Sequence, residues 1–157
     1  MIHLQRIQTI NATPDAVWAV LGRFMQMDEF APLVKSVDAL TDGEDRVGSK
    51  RRAHFTNGSS MVEEVIKWEP NRGYRVRSSE LEPMPVHEMQ SDLSVSPRNN
   101  GQSKVTWSTE YRMKYGPFGW LMGQTVMKRM MGKVVDGNLK GLADKVRSNQ
   151  TGTEQTS

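Results

Sequence analysis

Residues 47–68, VGSKRRAHFTNGSSMVEEVIKW, decide the reading of the fold. Two runs of strand-type residues flank Asn57-Gly58, and a two-residue Asn-Gly loop favours a type I′ hairpin. Counted outward from that loop, Phe55 faces Ser60, Ala53 faces Val62, Arg51 faces Glu64, Ser49 faces Ile66 and Val47 faces Trp68. Side chains alternate along a strand, so all of these share one face. Apart from Arg51, Glu64 and two serines, that face is apolar. The opposite face carries Lys50, Arg52, His54, Met61, Glu63, Val65 and Lys67 and is expected to meet solvent. Arg51 and Glu64 then meet inside as a non-hydrogen-bonded cross-strand pair, with Cβ atoms ~5 Å apart. A buried charge must be paired or otherwise satisfied. The pair either neutralises itself as a structural element or lines a polar spot in a cavity and orients a ligand.

Working outward, a strand is expected over 2–10. Thr13 is a good N-cap, Pro14 suits the first helical position, and Asp15 suits the positive end of the helix dipole. Val17, Trp18 and Leu21 form an apolar stripe on this short helix, which Gly22 ends. A second short helix is expected over 24–30, stopped by Pro32. From there the period is two, with strands over 33–41, 46–55, 60–69, 73–80, 86–96 and 103–114. Turn residues separate them: Asp42-Gly43, Asn57-Gly58, Pro70-Asn71, Pro83 with Pro85, and Asn99-Asn100-Gly101. A long helix over 119–146 closes the chain, with Met127, Met131, Val134, Val135, Leu139, Leu142 and Val146 along one side. Gly123, Gly132, Gly137 and Gly141 weaken it by ~1 kcal/mol each relative to Ala, so packing must hold it. They also let other groups approach its backbone closely. The order predicts an α+β fold: one seven-stranded antiparallel sheet with the long helix covering one face. One domain is expected over 1–148, followed by a disordered polar tail, 149–157.

The same parity places Tyr74, Val76 and Ser78 on one face of their strand. It also groups His87, Met89, Ser91, Leu93 and Val95, and it groups Val105, Trp107, Thr109, Tyr111 and Met113. Each set holds most of its strand's apolar residues and is expected to point inward. The interior would then mix apolar bulk with tyrosines, a histidine and hydroxyls, which is the composition of a ligand pocket. Eleven methionines, four of them between 122 and 131, agree with an interior that adapts to variable apolar ligands.

Composition excludes much else. The chain has 157 residues and no cysteine, which removes disulfides, thiolate nucleophiles and cysteine metal sites. Three histidines lie far apart, so no metal is expected. No phosphate-binding glycine loop and no Gly-x-Ser-x-Gly elbow occurs, so neither a nucleotide cofactor nor serine-nucleophile catalysis is expected. No apolar run approaches the ~20 residues of a membrane span. MIHLQRIQTI lacks the apolar core of a signal peptide, so a cytoplasmic protein without stable membrane insertion is expected. The net charge of +3 hides an asymmetry, with 11 basic and 14 acidic side chains in residues 1–97 but 10 basic and 3 acidic in 98–148. Neither a dense basic patch nor stacking aromatics accompany it, so no nucleic-acid partner is expected. A solvated helix face accounts for the excess, and a weak attraction to anionic membranes is the alternative.

The segments INATPDAVWAVLGRF, VGSKRR, NGSSMVEEVIKWEP and the long terminal helix resemble the START-like, or SRPBCC, superfamily over residues 2–147. The nearest branch is the polyketide cyclase/dehydrase-like and lipid-transport group. The resemblance implies a helix-grip fold, in which a curved seven-stranded sheet wraps the C-terminal helix around a deep cavity. It also implies a hydrophobic ligand such as a lipid or polyketide. An inward Arg and Glu like Arg51 and Glu64 recur in that group. The expected ligand-binding residues are Arg51, Glu64, Tyr74, His87, Thr109, Tyr111, Met127 and Met131. Carriage or sensing of a small hydrophobic or amphipathic molecule is the first expectation, and a cyclase, aromatase or dehydratase using the same cavity is the alternative. An interaction module acting through the basic helix face is the third. The sequence names no ligand and no oligomeric state.

Overall fold

A computed structural model describes residues 1–43 and 45–156, with 151–156 as backbone only. The strands are β1 (Ile2–Ile10), β2 (Val34–Ala39), β3 (Lys50–Phe55), β4 (Ser60–Glu69), β5 (Gly73–Ser79), β6 (Val86–Pro97) and β7 (Ser103–Met113). They form one sheet in the order β1-β7-β6-β5-β4-β3-β2, with every neighbouring pair antiparallel. Between β1 and β2 lie α1 (Pro14–Leu21) and a 3-10 helix, Phe24–Glu29. Thr13 caps α1, its Oγ1 accepting from the Ala16 N–H at 3.3 Å. This is the expected helix-grip architecture.

The hairpin turns where Asn57-Gly58 stands, but its register differs from the expected one. The loop has three residues. The Phe55 N–H donates to Ser59 O at 2.8 Å, the Gly58 N–H donates to Phe55 O at 3.0 Å, and Gly58 has φ 90°. Such a loop closes a β-turn with a left-handed glycine and carries one residue more than the two-residue form. One extra residue flips the side-chain parity of the following strand. Arg51 therefore pairs with Glu63, Ala53 with Met61 and Lys50 with Glu64. Glu64, expected inside, lies on the outer face between Lys50 and Arg77. A bulge between Val65 and Lys67 then restores the parity, so Trp68 sits opposite Tyr74 and packs on the core as expected.

A second bulge corrects β6. Val86 pairs with Met113 and Glu88 with Arg112, so His87 is the extra residue and is exposed, whereas Met89, Ser91, Leu93 and Val95 are buried. β3 is shorter than expected, because Arg46 to Ser49 forms a turn, with the Ser49 N–H donating to Arg46 O at 3.1 Å.

The closing helix begins earlier than expected, with α2 (Gly116–Met122). A π-helical turn, Gly123–Met127, follows, and then α3 (Lys128–Thr156). The disordered tail expected at 149–157 falls largely on residues whose side chains are outside those described. α3 packs mainly on β1 and α1. Gly141 lies against the Phe30 carbonyl, where a Cβ would collide, so the close approach requires glycine.

The interior holds two apolar clusters. The larger joins α1, the 3-10 helix and the later turns of α3 to the sheet, around Val17, Phe24, Val65, Tyr74, Leu139 and Leu142. The smaller lies under α2 and the π turn and contains Ile2, Leu81, Val86, Met89, Tyr111, Met113 and Met127. Met61, Met84, Met122 and Met131 pack against it, so most of the chain's methionines gather here.

Candidate functional site

Strand pairing lays the inward side chains out in rows across the sheet. One row runs Arg51, Glu63, Ser78, Met89, Tyr111, Ile2. The next runs Val65, Val76, Ser91, Thr109, Leu4. Polar groups therefore cross an otherwise apolar floor, next to the methionine-rich cluster.

Arg51 begins the first row and is 2% exposed. Its Nε and Nη2 donate to Glu63 Oε1 at 3.0 and 2.8 Å. Its Nη1 donates to the Phe24 carbonyl at 2.5 Å, and its guanidinium carbon stands 3.9 Å from the centre of the Phe24 ring. Burial disfavours the charge, but the Glu63 carboxylate and the Tyr74 hydroxyl outweigh that and hold Arg51 protonated above its ordinary range. The guanidinium thus ties the 3-10 helix to the sheet. Tyr74 stacks on Trp68 with centroids 5.4 Å apart and meets Phe24 edge-on. Burial pushes its hydroxyl up to about 12, although Arg51 pulls the other way. On the loop outside, burial raises the Asp45 carboxyl, opposed by the Phe24 N–H and Arg51.

Beyond this pair the row changes character. The Ser78 Oγ is buried without any hydrogen-bond partner among the described residues. A buried hydroxyl left in that state costs ~1–3 kcal/mol. In the next row the Ser91 and Thr109 hydroxyls satisfy each other at 3.1 Å. The Tyr111 hydroxyl donates to the Gly123 carbonyl of the π turn at 2.6 Å, and burial raises its pKa.

A cleft of about 670 Å³ opens at this end of the molecule, under the β5–β6 connection. Arg52, Ser60, Ser78, Leu81, Val86, His87 and Lys114 are among its walls. Leu81 and Val86 belong to the methionine-rich cluster, so the cleft abuts the interior that the sheet and helix enclose. Glu80 and Glu82 at its rim pair with Arg52 and Lys114.

Of the residues expected to bind ligand, Arg51, Tyr74, Thr109, Tyr111 and Met127 are buried and Met131 is half-buried, all facing the interior. Glu64 and His87 do not join them, for the register reasons above. Sequence reasoning missed Glu63, which only the longer loop brings inside. It also missed Asn138, a buried polar residue on α3. The spacing of Asn138 from Val135 and Leu142 carried a usable signal. No group of His, Asp or Glu among the described residues could hold a metal ion.

The fold recurs in solved structures. An aromatase/cyclase from a Streptomyces species matches with TM-score 0.78 at 14% identity, over 93% of this chain and 93% of its own. The protein XoxI from Bacillus cereus matches with TM-score 0.77 at 20% identity, over 96% and 99%. A norcoclaurine synthase from Thalictrum flavum matches with TM-score 0.72 at 16% identity, over 95% and 96%. At such identities the likeness carries the fold alone. A search of curated protein sequences finds no match. The sequence profile described as polyketide cyclase/dehydrase and lipid transport covers residues 1–147, and with the helix-grip sheet and its methionine-rich interior in view, the chain belongs to that family, within the START-like superfamily.

Proposed function

We propose that this protein binds a small hydrophobic or amphipathic molecule, a lipid or polyketide-like compound, between the sheet and the first turns of the long helix, and carries or senses it unchanged. The observation that supports this most is the Ser78 hydroxyl, buried without a partner between the Arg51–Glu63 pair and the methionines. A ligand's polar group would satisfy it. The surrounding thioethers would shift to admit an apolar body, since unbranched methionine side chains repack at small cost. Ser91, Thr109 and Tyr111 spend their hydroxyls on protein partners and would contribute shape.

The alternative, a cyclase, aromatase or dehydratase in the same space, needs a free oxyanion holder and a group able to move protons near neutral pH. Arg51 spends three of its five N–H groups on Glu63 and the Phe24 carbonyl. Tyr74, pushed up to about 12, holds its proton. Glu64 faces away from the interior, and His87, although it lines the cleft that Ser78 also lines, is exposed at the bulge. These facts favour carriage.

Native mass spectrometry of protein purified from cells, followed by displacement of a fluorescent fatty-acid probe, tests the proposal. A co-purifying apolar molecule is expected, with probe binding lost in Met131→Trp, which fills the space. Wild-type protein that carries nothing and takes up no probe would overturn it.

A further inference from the structure

Six large apolar side chains, Tyr115, Phe118, Trp120, Leu121, Val126 and Met130, are each more than half exposed within a single helical stretch. Isolated exposed apolar residues are ordinary, whereas a contiguous set marks an interaction surface. The inner side of the same stretch is buried: Gly119 rests against the Lys114 carbonyl, Gly123 against Ile2 and Met113, and Met127 in the methionine-rich cluster. The outer side has no such cover.

Charge indicates what covers it. Residues 111–135 contain five cations and no carboxylate. Arg112 pairs with Glu88 and Lys114 with Glu82 across the neighbouring strand and loop. Lys128, Arg129 and Lys133 have no carboxylate partner among the described residues, and they flank Met130 at the end of the apolar set. Exposed aromatic and aliphatic side chains that run into unpaired cations along one helical stretch are the pattern of a segment that lies in a lipid headgroup layer. Trp and Tyr favour that depth, and cations gain from anionic lipid. No helix among the described residues is long and apolar enough to cross a bilayer, so the contact is peripheral. We infer that α2, the π turn and the first turn of α3 form a docking face for an anionic membrane surface. This goes beyond ligand carriage and stands whether or not the interior takes a ligand. If it does, docking sets the wall of that interior against the bilayer.

Flotation with phosphatidylcholine vesicles, with and without phosphatidylserine, tests the inference on the full chain, with the intrinsic tryptophan emission, to which Trp120 contributes, as a second signal. Binding is expected only with phosphatidylserine, falling as salt rises, with a blue shift of the emission. Phe118→Ser with Trp120→Ser should abolish binding. Lys128→Gln with Arg129→Gln should weaken it by about fivefold per cation removed. All four substitutions are at exposed or half-exposed positions, and unchanged melting curves establish that the variants are folded. Three results would overturn the inference: no flotation by folded wild type at low salt, flotation unaffected by either variant, or concentration-dependent self-association removed by the Phe118/Trp120 variant without any flotation. The last would make the face a contact between copies of this chain.

Discussion

Arg51 on β3 stands directly opposite Glu63 on β4, with Nη2 2.8 Å from Oε1 and both side chains buried. The neighbouring Glu64 faces out beside Lys50. Two adjacent glutamates of identical chemistry thus have opposite structural weight. Glu63→Ala strands the Arg51 charge and should cost ~3–5 kcal/mol. Glu64→Ala should stay within about 0.5 kcal/mol, as surface changes do. Urea unfolding of the two variants decides it, and the reverse order would restore the register of a two-residue loop.

Alkaline pH should unfold the protein partly through Tyr74. Its hydroxyl is held up to about 12 in the folded chain, against an unfolded value near 10. Above pH ~10 the unfolded state releases that proton while the folded state keeps it, so stability is present below ~10 and falls from there to ~12. The loss is of the order of 2–3 kcal/mol for this group, and Tyr111, also raised, adds a loss of the same sign. Urea midpoints measured across this range should fall less steeply for Tyr74→Phe than for wild type. Parallel curves would remove Tyr74 as a cause.

Ser78→Ala separates stability from binding. Removing an unsatisfied buried hydroxyl should leave the ligand-free protein as stable or up to ~1 kcal/mol more stable. The same change should weaken an amphipathic ligand by roughly tenfold while sparing a purely apolar probe, since a lost hydrogen bond is worth ~1–1.5 kcal/mol. A loss of stability beyond ~1 kcal/mol would mean that the hydroxyl has a partner in the protein.

Two helix glycines should respond oppositely to alanine. A Cβ at Gly141 meets the Phe30 carbonyl, and one at Gly137 meets only Pro32 Cγ at 3.6 Å. Gly137→Ala should gain up to ~1 kcal/mol from helix propensity. Gly141→Ala should lose ~1–3 kcal/mol, because overpacking exceeds that gain. Thermal melts of the pair read both signs at once.

Much of this was legible in local sequence. Thr13-Pro14 marked the first helix, and the turn residues separated the strands. His87 and Glu64 were misplaced for a single reason. An alternating pattern specifies which residues share a face only until a residue is inserted, and both errors lie beside an insertion. Trp68 was placed correctly because the bulge after Val65 cancelled the extra loop residue. The unpartnered Ser78 and the bare outer face of α2 were not legible, because both depend on what other segments leave uncovered.

The sequence by itself determined the order of elements, the antiparallel sheet, the covering helix and the presence of an arginine within an apolar face. These follow from periodicity, capping and turn chemistry, which act over a few residues. Tertiary structure alone decided which glutamate meets Arg51, which hydroxyl is stranded and which helix face stays open. Loop length and bulge position differ little in local energy, and the choice among them falls to long-range pairing and the packing of the whole interior.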